Sequence, residues 1–428
     1  MARGIILRLG VCTLLVALLA MPKQVYSQPH ELDTIIRKAL ERNPQLQSMR
    51  LQSESAALSA RAAGALPDPQ IGIGLMNLPH SSLALDETPM SGVQVGITQR
   101  IPWPGELSGK SDVASLQAQI SRQQAQQVAD EIARRVAASY YDYSYWIAGQ
   151  TVLQDNLALT EALTEVARTR YANGDATMQE VLRAKNARER LSNRVRMFAR
   201  SAESALLELQ LLVDDTLITV TGELPEPAID SSVFPLSATG SVERNPLLQQ
   251  ADLGVERADA THGLARAAYW PDLTLGVDYR FRKTHPMDAV GGEDFLSFRV
   301  GMSVPLWFMS NQKHRTASAR IALDASRRHR HSVLTQLKKR ARDISLTQQM
   351  LHENIGTYES AILPQSQAAF ESARAAYEVG QVDFDALLAA QLDWLNARLE
   401  RLELLRTYHQ KQAELDEVLG RNHTGSES

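Results

Sequence analysis

The sequence predicts a mainly α protein with a small β part: very long helices and four short strands. Three observations carry this. From Gly105 to Tyr171 there is no proline, good helix formers dominate, and apolar residues recur at helical spacing (Val113, Leu116, Ile120, then Val128, Ile132, Val136, Tyr140). Four short runs alternate apolar with polar or small residues at a period of two. The same order of elements is then written twice along the chain. One helix over Gly105 to Tyr171 would be about 100 Å long at about 1.5 Å per residue. No compact domain is that wide, so such a helix must lie along others.

The first residues read as an export signal (1–27). Arg3 and Arg8 form a positive start, Ile5 to Ala20 an apolar segment, and Val25-Tyr26-Ser27 a cleavage site that leaves Gln28 first. The apolar segment is shorter than the roughly 20 residues that span a bilayer. The only cysteine, Cys12, lies inside it after Leu9-Gly10-Val11, a poor lipid-attachment match, so neither disulfides nor thiol ligands are expected in the mature chain. With 45 Lys+Arg against 49 Asp+Glu, nothing points to nucleic acid.

Residues 28–212 form the first repeat. A helix over Glu31 to Gly64 ends at Pro67-Asp68-Pro69. A hairpin follows over 69–101, with Ile71, Ile73 and Leu75 in one strand and Val93, Val95 and Ile97 in the other. The long helix (105–171) reverses at Asn173-Gly174-Asp175 into a return helix, 178–212. A Pro- and Ser-rich linker, 213–241, leads to the second repeat, 242–420. Glu41-Arg42-Asn43-Pro44 returns as Glu243-Arg244-Asn245-Pro246, and Pro67-Asp68 as Pro271-Asp272. A hairpin over 271–306 pairs an alternating run at Leu273 to Phe281 with one at Phe298 to Val304. The second long helix, 311–377, carries Leu337, Ile344 and Leu351 at sevenfold spacing, and Pro364 should kink it. Its tip, Tyr377 to Gly380, leads to a last helix, 382–420. A polar tail, 421–428, is expected to be disordered.

The strand faces decide the environment. Gln94, Asp278, Arg280, Arg282 and Arg299 share one face and apolar residues the other, in strands of about 10 residues. Such strands suit a membrane barrel, polar inside and apolar outside. A sheet in lipid cannot leave open edges, and a barrel needs about 8 strands or more. Four strands per chain therefore require several chains to share one barrel.

In this order and duplication the chain resembles the TolC-like outer-membrane efflux family over roughly Leu32 to Gly420. The resemblance rests on the Asn-Pro helix starts (Asn43-Pro44, Asn245-Pro246), the paired hairpins, the Tyr-x-x-Gly tips (Tyr171 with Gly174, Tyr377 with Gly380), and the Glu180-Val181-Leu182 and Ala386-Leu387-Leu388 starts that follow them. The stretch Gln99-Arg100-Ile101-Pro102-Trp103-Pro104-Gly105 resembles the heavy-metal cation branch. The resemblance implies a homotrimer with a 12-stranded barrel in outer-membrane lipid and a 12-helix tunnel in the periplasm. It further implies docking on a periplasmic adaptor (membrane fusion) protein and an inner-membrane RND-type pump. Drug export or type I secretion through the same fold is the alternative use. A soluble periplasmic coiled-coil protein is the reading from a different class.

The resemblance also implies that bonds between helices at the tips hold the pore shut, at positions that include Glu180 and Tyr377. With Tyr171, Gly174 and Gly380 these are the gate candidates. Relatives place an acidic ring where this chain has Ala386 and Ala389, and Asp383 and Asp385 are the nearby acids that stand in for it. No catalytic, cofactor or metal site is expected: there is no Walker loop, Gly-x-Ser-x-Gly or His-Glu-x-x-His. Asp86-Glu87, Asp130-Glu131 and Asp214-Asp215 read as solvated pairs. Arg327-Arg328-His329-Arg330-His331 reads as a basic patch rather than a metal site, and Met76, Met90, Met287 and Met302 assemble no site. The aromatic run Tyr140, Tyr141, Tyr143, Tyr145 and Trp146 reads as packing between helices.

Overall fold

The computed structural model describes residues 31–222, 224–226, 242–286 and 288–421. The export signal with Cys12 and Gln28, most of the 213–241 linker, Met287 and the tail beyond Arg421 lie outside the described residues.

In place of the single first helix expected, there are two, α1 (Glu31–Arg42) and α2 (Pro44–Ala63). Pro44 causes the break, because a residue before proline is driven out of the helical region, and Asn43 accordingly sits at φ −56°, ψ 121°. Its side chain then does two jobs. Oδ1 accepts from the backbone N–H of Gln45 and Leu46, and Nδ2 donates to the Leu212 carbonyl at 2.9 Å. Asn245 repeats the device: Oδ1 accepts from Leu247 N–H at 2.9 Å and Nδ2 donates to the Val418 carbonyl at 3.0 Å. Each Asn-Pro thus starts one helix and ties it to the end of another.

The strands are β1 (Gln70–Met76), β2 (Gly92–Ile101), β3 (Leu273–Arg282) and β4 (Phe295–Met302), one antiparallel sheet in the order β1-β2-β3-β4. β2 and β3 have the expected 10 residues, while β1 has 7 and β4 has 8. β1 stops early because Asn77 turns to φ 53° and closes the loop, donating from Nδ2 to the Met90 carbonyl and accepting at its own carbonyl from Ser91 Oγ.

Between the strands and the tips run α3 (Glu106–Asn173, 68 residues), returning as α4 (Met178–Val213), and α5 (Pro246–Ala267), which leads into β3. After β4 come α6 (Gln312–Thr357), a single π turn (Tyr358–Ile362), α7 (Leu363–Glu378) and the returning α8 (Phe384–Leu419). The kink expected at Pro364 takes the form of that π turn. Proline offers no N–H and its ring collides with the carbonyl four residues back, so the helical ladder widens just ahead of it.

No single core holds these helices together. Buried residues form separate clusters strung along the length. Leu32, Ile36, Ile132, Val136 and Leu209 make one, Leu248, Leu337, Ile344 and Val418 another, and Leu153, Leu191 and Leu395 a third. Buried Ala125, Ala129, Ala133 and Ala137 recur every fourth residue on α3, which lets neighbouring helices approach closely. The aromatic run belongs to this packing: Tyr140 and Tyr145 are buried, and Tyr141 stacks on His409 at 4.7 Å.

The sheet has the opposite character. Ile71, Ile73, Leu75, Ile97, Leu275, Val277, Tyr279, Phe281, Leu296, Phe298, Val300 and Met302 are all exposed on one face, Ile73 and Phe298 at 76%. The other face carries an Arg299–Asp278 ion pair at 2.8 Å and an Arg280–Gln94 bond at 2.9 Å. Full burial of one such apolar side chain is worth about 1.5–3 kcal/mol. A dozen left in water forgo on the order of 20 kcal/mol, more than a typical domain's whole stability of about 5–15 kcal/mol. Among the described residues no helix is long and apolar enough to cross a membrane.

Loss of the bridging asparagines should loosen both repeats. Asn43→Ala and Asn245→Ala are each expected to cost about 2–3 kcal/mol, a cap of about 1 kcal/mol plus an orphaned buried carbonyl of about 1–2 kcal/mol. Asn→Ser, which keeps the cap but not the bridge, should lose about half of that. Thermal unfolding followed by circular dichroism reads this, and equal losses for Ala and Ser would rule out the bridging role.

Candidate gate at the helix tips

Both reversals use one backbone device. Gly174 sits at φ 83° and Gly380 at φ 76°, the left-handed region where glycine is strain-free. Asp175 N–H donates back to the Arg170 carbonyl, and Gln381 N–H to that of Ala376, at 2.8 Å each. The return helices then start on side-chain caps. Thr177 Oγ1 accepts from Glu180 N–H while Glu180 Oε1 accepts from Thr177 N–H, a reciprocal capping box. Asp383 Oδ1 accepts from Ala386 N–H at 2.9 Å.

Around these caps the two hairpins meet. Tyr377 is 1% exposed, packed against Phe384 with ring centroids 5.7 Å apart, and its hydroxyl donates to Glu180 Oε2 at 3.3 Å. Arg170 lies over the Tyr377 ring at 4.6 Å, donating from Nη1 to the Tyr377 carbonyl at 2.6 Å and from Nη2 to the Asp175 carbonyl at 3.2 Å. Burial first, and then the Glu180 charge, push the Tyr377 hydroxyl above its ordinary pKa, so it stays protonated as a donor. Arg183 of α4 pairs with Asp385 of α8. That pair is half exposed and contributes little, about 0–1 kcal/mol. The Arg170–Tyr377–Glu180 cluster is the stronger bond between the hairpins.

Of the gate candidates, Glu180 and Tyr377 are in direct contact, and Gly174 and Gly380 make the turns. Tyr171 is 47% exposed; its carbonyl accepts from Gly174 N–H in the turn, but its side chain is not part of the cluster, although it matches Tyr377 in the motif. Asp383 is engaged as a helix cap and Asp385 is neutralised by Arg183, so neither is a free acid. Arg170, a tip residue in the sequence but not one of the gate candidates, completes the cluster. Its signal was its place one turn before Gly174, where its fork reaches both tip carbonyls.

The other candidates are placed as follows. Asp130 is not a solvated residue, as its pairing with Glu131 suggested: burial raises its pKa to about 6, aided by the nearby Glu417 charge. Its carboxyl therefore holds a proton in the folded state that the unfolded chain has lost between about pH 4 and 6. Stability falls as pH rises through that window, and at neutral pH Asp130 opposes folding. Arg327 to His331 are all exposed, with Arg330 paired to Asp252. No group of three His, Cys, Asp or Glu residues able to hold a metal occurs among the described residues.

The Gln99 to Gly105 motif forms the joint between sheet and tube. Arg100 bonds Asp272 at 2.5 Å, Asp272 Oδ1 also accepts from Trp103 N–H, and Trp103 stacks on Trp270 with centroids 4.9 Å apart. Gly105, at φ 98°, turns the chain into α3.

Comparison with known proteins agrees with this architecture. The chain is similar to the cobalt-zinc-cadmium resistance protein CzcC of Cupriavidus metallidurans, 24% identical over 197 residues, which are 45% of this chain and 44% of that protein. The match thus spans less than half of the relative's length. Among solved structures, CusC superposes with a TM-score of 0.75 at 18% identity, covering 93% of this chain and 96% of that one. VceC of Vibrio cholerae gives a TM-score of 0.77 at 18% identity, covering 91% and 96%. These likenesses show the TolC-like fold. The outer membrane efflux protein family matches residues 35–213 and 241–421, both repeats of the chain, and the protein belongs to that family.

Proposed function

We propose that this protein is the exit duct of a tripartite efflux system. In this reading three copies share one 12-stranded barrel in the outer membrane, and their helices continue it as a tube into the periplasm. The tips meet a periplasmic adaptor protein and an inner-membrane RND-type pump that supplies the energy, and the chain itself catalyses no reaction. The observation that carries the reading is the sheet: one largely exposed apolar face, one polar face, two open edges, and strands that run directly into helices of about 100 Å. A soluble coiled-coil protein would have to leave that face in water.

The constriction in this reading is at the tips, where a wall of side-by-side helices ends and can narrow. The Tyr377–Glu180 bond, clamped by Arg170, ties the second hairpin to the first and keeps the tube shut. Three such contacts, one per copy at about 1 kcal/mol each, bias an open–closed balance by on the order of a hundredfold. Glu180→Ala with Tyr377→Ala should raise single-channel conductance of the purified protein in planar bilayers. A double variant that conducts like the parent would place the gate elsewhere, and no channels from either protein would defeat the duct reading.

A finer reading, that the cargo is heavy-metal cations, is supported by the similarity to CzcC and the Gln99 to Gly105 motif. Deletion of the gene should sensitise cells to cobalt, zinc, cadmium, copper or silver. Sensitivity confined to dyes and antibiotics would favour drug export.

A further inference from the structure

We infer that the seam between two copies of this chain is formed by β4 of one and β1 of the next, in one register that brings Gly301 opposite Gly72. This rests on the trimeric reading above and specifies its partner surface. The internal duplication supplies the template, because the β2–β3 joint inside the chain is one repeat meeting the next. Laying Pro305 on Pro102 and Pro271 on Pro67 carries β2 onto β4 and β3 onto β1. The observed pairs Gln99↔Leu275, Ile97↔Val277 and Val95↔Tyr279 then become Met302↔Ile71, Val300↔Ile73 and Phe298↔Leu75. The pairs Thr98↔Gly276 and Gly96↔Asp278 become Gly301↔Gly72 and Arg299↔Gly74.

Each outcome is physically consistent. Apolar residues meet apolar residues on the exposed face, and small or polar ones meet on the other, which a slip of one residue would reverse. At Gly96 a Cβ would lie 2.1 Å from Asp278 Oδ1, so glycine makes room for the side chain opposite. Gly74, with only Met76 Sδ near it, offers the same room to the largely exposed Arg299.

A second argument comes from the stagger of the sheet. Along one row of paired residues, Gln70, Thr98, Gly276 and Arg299, the distance from the proline at the foot of each strand grows steadily. Gln70 is three residues from Pro67, Thr98 four from Pro102, Gly276 five from Pro271 and Arg299 six from Pro305. The next step, seven residues from Pro67, is Gly74 of the neighbouring copy. A climb of one residue per strand, about 3.4 Å over about 4.8 Å, tilts the strands by roughly 35°. A slip of two residues at the seam that lowers the climb gives a mean tilt of roughly 20°, well below the range of about 35–45° for membrane barrels. One that raises it gives roughly 47°, at the upper edge, and the repeat template stands against it.

The helices leave a matching vacancy. α5 packs against both α3 and α6, whereas among the described residues α2, its counterpart, packs mainly against α3. Leu51 and Leu58 of α2 and Ile321 of α6 are exposed in the single chain. With β1 seated on β4, α2 lies beside α6 of the neighbour, as α5 lies beside α3.

Paired cysteines test the register. Gly72 and Gly301 both lie outside the left-handed region and have space for a Cβ. Partners directly opposite in a ladder have Cα atoms about 4.5–5.5 Å apart, inside the disulfide window of about 4.4–6.8 Å, and a two-residue offset leaves it. In outer-membrane preparations under oxidation, Gly72→Cys with Gly301→Cys should convert the chain to covalent dimer and trimer. Gly74→Cys or Gln70→Cys with Gly301→Cys should not, and single variants report any part played by Cys12. Membrane insertion of every variant is checked under reducing conditions. Cross-linking strongest with Gly74 or Gln70 would overturn this register while leaving the shared barrel standing. Inserted variants that cross-link in no combination would overturn the seam and the shared barrel together.

Discussion

Backbone hydrogen bonding at the two edges of a four-stranded sheet is the constraint on which the whole structure depends. β2 and β3 are paired on both sides over most of their length, but β1 and β4 each offer an edge with no strand partner among the described residues. In water such an edge is a moderate liability; in hydrocarbon each orphan group costs several kcal/mol. The apolar face of the same sheet is exposed in the single chain and suits hydrocarbon. In the proposed shared barrel other copies supply the missing edges, and an even number of strands per copy lets β4 meet β1 antiparallel and close a ring.

In that reading the helices take their arrangement from the ring. Each strand foot hands over to a helix through a short rigid joint, and the Arg100–Asp272 pair with the Trp103–Trp270 stack locks the exit of β2 to the entry of β3. A circle of strands therefore becomes a circle of helices without a flexible link. This also explains why no central core exists. A tube wall is one layer thick, so its apolar residues can be buried only between neighbours, in clusters strung along its length. At the far end, where no sheet constrains them, the hairpins are held by side-chain bonds instead. Of these, the half-buried Arg170–Tyr377–Glu180 contacts outweigh the more exposed Arg183–Asp385 pair.

Much of this was legible in the sequence because the elements are long and periodic. The proline-free run gave a helix of 68 residues, and the alternation of Ile71, Ile73 and Leu75 gave the face of β1. Less legible were effects that act across a few atoms. The first helix breaks at Asn43 because Pro44 restricts its predecessor, which outweighs the helical spacing on either side. The kink expected at Pro364 takes the form of a π turn just ahead of it, with α8 packed along both α6 and α7. At the tips the two Tyr-x-x-Gly motifs looked equivalent, yet Tyr377 is buried and Tyr171 exposed. Which of the two is covered depends on the hairpin beside it, and that is a tertiary fact no local motif records.

The central claim is that the exposed sheet face lives in lipid as part of a shared barrel. Sodium carbonate washing of fractionated cells, followed by sizing of the detergent-extracted protein, tests it most directly. The protein should remain in the outer-membrane pellet and run as a trimer of the 47.4 kDa chain, less any export signal removed. Release into the periplasmic fraction as a soluble monomer would contradict the account.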